Sequence, residues 1–197
     1  MNLRIPTLLE QGVSRDDIGK LLRDTWQMQF DNYLLTVSYN AVTNPAINLD
    51  AELEQIQLFI NNYRAIWPQY VREYDLPETY ARTYSGMEAI FDMNIEDMEE
   101  LYDPVAKLPF YIHVQGKHIA SEYNFNCSML QVKSYTMTRD EVREQYRKIV
   151  CDFDGKVNQI KELRGRYFNQ FTDSYKQLLM RLDELYEETL ADTEDFV

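Results

Sequence analysis

The sequence is poor in the residues that usually mark a site of chemistry, a secreted chain or a membrane span. Of 197 residues, only two are Cys (Cys127, Cys151) and two are His (His113, His118). Two thiols make no disulfide framework; the expectation is a pair of reduced, half-buried side chains. No apolar run approaches the roughly 18 residues of a membrane span. The first residues, Met1 to Pro6, carry no apolar segment behind Arg4 of the kind a signal peptide needs. These absences predict an intracellular (cytoplasmic) or virion protein, neither secreted nor membrane-bound. Basic residues are scarce as well. Lys and Arg number 20 against 33 Asp and Glu, a net charge of -13. Such a field repels phosphate backbones and anionic lipid, so no nucleic-acid or membrane partner is expected. Gly and Pro number six each, and so few punctuators predict long regular elements.

What is present is apolar and aromatic. Apolar residues make up 45% and aromatics 13%, with 15 Tyr. This is the composition of a globular chain with a sizeable core. Tyrosine, with a large ring and a polar tip, suits half-buried positions and interfaces.

Periodicity predicts a mainly helical fold. Residues 14–39 carry Ile18, Leu22, Trp26, Phe30, Tyr33 and Val37 at steps of three and four, behind a cap at Ser14. Asn44-Pro45 breaks the pattern. Leu49, Leu53, Ile56, Ile60, Tyr63, Trp67 and Tyr70 form a second stripe, and Pro68 is expected to end or kink that helix near Ile66 or Trp67. Pro77 opens a third helix, to about Phe91; a short acidic one follows, Ile95 to Tyr102, stopped by Pro104. Around Gln115-Gly116, the runs Phe110–Val114 and His118–Ala120 read as a β-hairpin, and Met129–Met137 as a possible third strand. The fold class expected is therefore a helical bundle with a small antiparallel β insertion at 110–137 and a long C-terminal helix. That helix starts at the capping box Thr138-Arg139-Asp140-Glu141. Its stripe runs from Val142 to Leu185. A continuous helix to about 189 would be roughly 75 Å long, so it must project, pack on other chains, or break; Asp152–Gly155 and Gly165 are the break points expected. The organisation predicted is one helical domain, 1–182, followed by a solvated acidic tail, 183–197, with seven acids and no base.

No motif points to catalysis. GxSxG, HExxH, CxxC and GxxxxGK[ST] are all absent. On a hairpin, His113 and His118 would face each other at cross-strand distance, a geometry able to hold a metal or sense pH. Without zinc-type spacing, exposed histidines are the expectation, with no metal and no cofactor. Glu96, Asp97, Glu99, Glu100 and Asp103 read as a solvated helix face. Residues 5–22 resemble a helix-turn-helix, a short helix and a Gly-Val-Ser turn before a second helix. That motif would imply regulatory DNA binding, yet it presents Asp16 and Asp17 where bases would sit.

The expectation is a non-enzymatic structural or adaptor subunit, partnered by other protein subunits as a homo-oligomer or a hetero-complex. The hairpin would be its contact finger, through Tyr111, His113, Gln115, Lys117 and His118. In broad layout the chain resembles the helical adaptor and connector proteins that join head to tail in tailed bacteriophages. That resemblance implies a ring or connector role in a virion. The alternative expectation is DNA binding through residues 5–22.

Overall fold

A computed structural model describes residues 4–77 and 95–193. Six α-helices account for most of them: α1 (Ile5–Glu10), α2 (Arg15–Thr43), α3 (Leu49–Tyr74), α4 (Lys107–Ser134), α5 (Arg139–Tyr167) and α6 (Asp173–Ala191). A 3-10 helix, Ile95–Tyr102, precedes α4. Among the described residues there is no strand.

The helix starts follow from local chemistry. Ser14 Oγ accepts the Asp17 amide at 3.0 Å, and Asn48 Oδ1 accepts that of Ala51 at 3.2 Å. At α5 the Thr138–Glu141 capping box closes in both directions, satisfying two N–H groups that the first turn would otherwise leave unpaired. Helix α3 runs through Pro68 to Tyr74 and ends on Asp75, whose φ is 51°. Pro68 removes one backbone donor, but its side chain is exposed; the stripe from Ile56 to Trp67 before it is buried, and Tyr70, Val71 and Tyr74 after it pack half-buried against the same core, so packing holds the helix together. The helix expected from Pro77 to Phe91 falls, beyond its first residue, outside the described residues.

The expected β insertion at 110–137 is overturned: these residues belong to α4 and the turn after it. Helix α4 is the central element, packed on α2, α5, α6 and the 3-10 helix. Phe110, Val114, Phe125 and Val132 join one core, with α1, α2, α3 and the 3-10 helix. Ile112, Ile119, Tyr123 and Cys127 join another, with α5 and α6. At about 100° per residue these sets lie on opposite sides of one helix. A helix buried on two faces has no polar side to reveal its period, and its apolar run reads equally well as a strand. Gly116 is no turn. A Cβ there would meet Leu182 Cδ1 at 2.6 Å and Tyr186 Oη at 2.7 Å, so the missing side chain is what lets α4 and α6 approach. Pro109 is tolerated because it lies in the first turn of α4, where backbone N–H groups have no helical acceptor.

The long C-terminal helix is two helices, broken later than expected. A 3-10 turn, Phe168–Gln170, and an extended Phe171 reverse the chain into α6. The antiparallel return is fixed by Arg164 on the Leu179 carbonyl at 3.0 Å and on Asp183 at 3.1 Å. At the far end, Tyr146 meets Thr193 Oγ1 at 3.2 Å. Gly155 and Gly165 lie inside α5. Residues 183–191, expected in the solvated tail, complete α6, where Tyr186 and Thr189 are buried. No described helix is long and apolar enough to cross a membrane.

Candidate functional site

Without a hairpin there is no contact finger. Tyr111, His113, Gln115, Lys117 and His118 all lie on α4, all half-buried, and their spacing distributes them around the helix. His113 and His118, five residues apart, point about 140° away from each other. His118 sits between Glu122 and Lys156; burial pulls its pKa below the ordinary value, with Lys156 adding to the effect and Glu122 opposing it. The ε-amino group of Lys156 bonds to Glu122 at 2.8 Å and Asp152 at 2.7 Å, tying α5 to α4. Among the described residues, no group of three or more His, Cys, Asp or Glu is placed to hold a metal ion.

A polar cleft of about 420 Å³ lies where α2, α4 and the end of α6 meet, lined by Lys20, Arg23, Asn124, Cys127, Ser128 and Asp192 among others. Asp24 is buried behind it. Arg23 Nη2 lies 2.7 Å from the Asp24 carboxylate, and Ser128 Oγ donates to its other oxygen. These contacts compensate a buried charge that would otherwise be costly. Burial pushes the Cys127 thiol up to about 11, despite Tyr123 and Lys20 pulling it down. The thiolate that nucleophilic chemistry needs is therefore scarce near neutral pH. Cys151 is exposed on α5.

The helix-turn-helix outline exists locally: α1, a turn with Gly12 at φ 81°, then α2. The second helix, however, is 29 residues long and buries Ile18, Leu21 and Leu22 in the core. Its first turn carries Asp16 and Asp17, and the Tyr135 hydroxyl from the end of α4 bonds Asp17 at 2.7 Å.

Exposed apolar side chains gather at the opposite end of the bundle. Tyr39 (51% exposed) and Val42 (40%) leave the last turns of α2, while Tyr102 (46%) and Val105 (64%) flank the end of the 3-10 helix. The Tyr39 ring lies 5.7 Å from that of Tyr111. The Tyr102 hydroxyl donates to Asp50, at the start of α3, which raises its pKa to about 12. Asp50 is exposed, as are Glu99 within the 3-10 helix and Asp103 just after it. The side chains of Glu96 and Asp97 lie outside those described. The first turn of α6 comes to the same end: burial raises the pKa of Tyr175, and the nearby Glu100 and Asp103 add to the effect. Of the residues expected to make contacts, Tyr111 touches this patch, through the Tyr39 ring. Sequence reasoning missed Tyr39, Val42, Tyr102 and Val105, because a lone apolar residue beside a helix end carries no pattern. A second, shallower groove between α2 and α3 is lined by Tyr33, Leu58 and Phe59 with Gln29, Gln55 and Asn62, and no charged side chain lines it.

No family model matches the chain, and neither the curated proteins nor the solved structures include a match to it.

Proposed function

We propose that the protein is a non-catalytic structural or adaptor subunit of a larger protein assembly, and that it meets its neighbour through the tyrosine-bearing end of the bundle. The observation that carries this reading is the grouping of Tyr39, Val42, Tyr102 and Val105, all exposed, at one end. Grouped exposed apolar side chains with a polar rim are the usual make-up of a protein contact, and tyrosine is among the residues that dominate such contacts. A connector or ring protein between the head and tail of a bacteriophage is one assembly that such a subunit would serve. Native mass spectrometry and electron microscopy of the complex recovered from its source test the proposal. A stoichiometric complex supports it, and a ring of copies supports the connector version. Recovery as a single chain of 23.5 kDa, with no associated protein, overturns it. DNA binding through residues 5–22 is less well supported, since the first turn of α2 offers carboxylates to a phosphate backbone.

A further inference from the structure

We infer that the tyrosine-bearing end docks a basic protein surface with an apolar centre. This rests on the assembly reading above and adds the chemistry of the partner. The patch has two parts that must both be matched. Its middle is apolar: Tyr39, Val42 and Val105, with the Tyr102 ring. The charged groups on the elements beside it are mostly acidic: Asp50, Glu99 and Asp103 are exposed, and Asp173 at the start of α6 is 96% exposed with Lys176 3.7 Å from it, against the half-buried base Lys107 at the start of α4. Glu100, half-buried, adds to the same field at Tyr175.

Charge decides between the possible occupants. A second copy presenting this same end brings carboxylates against carboxylates, and like charges across an interface oppose association. Nucleic acid and an anionic bilayer carry the same sign as these carboxylates and are repelled by them. A protein segment with lysine or arginine flanking apolar side chains satisfies both parts. The carboxylates speed and orient the encounter, while the apolar middle supplies the contact area. The groove at Leu58 and Phe59 has no charged side chain in its lining, and the carboxylate beside it, Glu52, accepts from the Tyr33 hydroxyl.

The probe is an amphipathic helical peptide of Leu and Lys, titrated into the full chain while backbone amide shifts are followed by NMR. An oligolysine of equal charge serves as the control. Shifts are expected at residues 39–42 and 99–107, with affinity falling as salt is raised. Val105→Ser, which removes the apolar contact without adding charge, is expected to weaken the Leu/Lys peptide about tenfold, as loss of a central contact does, while Leu58→Ser leaves it unchanged. Both positions are exposed, and circular dichroism verifies that each variant folds. The inference is overturned by the absence of binding, by shifts centred on the α2–α3 groove, by oligolysine binding as well as the amphipathic peptide, or by a folded Val105→Ser chain with unaltered affinity. The native mass of the complex is an independent readout. A complex together with an overturning titration removes the basic partner and leaves the assembly reading, whereas a single chain removes the reading itself.

Discussion

Replacing Gly116 by Ala tests the packing of the whole bundle. In an open stretch of helix this change stabilises, by about 1 kcal/mol, because Ala restricts the unfolded chain and favours the helix. Gly155 and Gly165 are such positions; a Cβ at either meets nothing within 4 Å. At Gly116 the new Cβ would lie 2.6 and 2.8 Å from the two δ-carbons of Leu182 and 2.7 Å from Tyr186 Oη. Both are ends of side chains, but Leu182 is 1% exposed and Tyr186 4%, so neither has room to swing aside. Forcing a methyl group into a packed core costs about 1–3 kcal/mol, which outweighs the propensity gain. Gly116→Ala is expected to lose up to about 2 kcal/mol net in urea denaturation. For a chain of this size, each kcal/mol shifts Tm by about 2–4 °C. Gly155→Ala and Gly165→Ala should move Tm upward. If Gly116→Ala melts at or above the wild type, as those two should, the close approach of α4 and α6 is wrong.

Other outcomes follow from single groups. Tyr186 Oη is buried without a hydrogen-bond partner, so Tyr186→Phe should be neutral or stabilise by about 1 kcal/mol. In that background Gly116→Ala should cost less, a coupling that a double-mutant cycle measures. Of the two thiols, a chromogenic disulfide reagent at mildly alkaline pH should modify exposed Cys151 quickly and buried Cys127 only after denaturant is added. The folded-state pKa of His118 lies below its ordinary 6.5. Above that pH the residue is neutral in both states. Below it the unfolded chain takes the proton first, so stability falls as pH drops through the lowered folded pKa. His118→Gln should flatten that part of the stability profile; an unchanged slope would refute the role of burial there. Asp24→Ala leaves the buried Ser128 hydroxyl without its acceptor and removes the ion pair to Arg23, which is one-third exposed, and should cost about 1–3 kcal/mol by thermal or urea unfolding.

How much of this the chain announced depended on whether an element kept a polar side. Helices α2, α3 and α5 each present one face to water, so their stripes, and the caps at Ser14 and Thr138, were legible. Helix α4 has none: Phe110 and Val114 serve one core while Ile112 serves the other, and that alternation imitates a strand. The counter-signal was the scarcity of Gly and Pro between 110 and 137, which suits one long element better than hairpin turns. The break before α6 was hidden because both helices face the same core, so the apolar spacing runs unbroken through Phe171. Thr172-Asp173, a threonine before an acid in the first turn, was the local sign of a new start. The tyrosine-bearing end was not legible at all. It is assembled from α2, the 3-10 helix and α4, and only their packing brings Tyr39, Tyr102 and Tyr111 together.

Hydrogen exchange, compared between the chain in its native assembly and the isolated protein, tests the central claim most directly. The account predicts slowed exchange in the assembly at residues 39–42 and 99–107, with the remainder of the surface, including the α2–α3 groove around Leu58, unaltered. Protection confined to that groove or to the outer face of α5, or identical exchange in the two states, would contradict it.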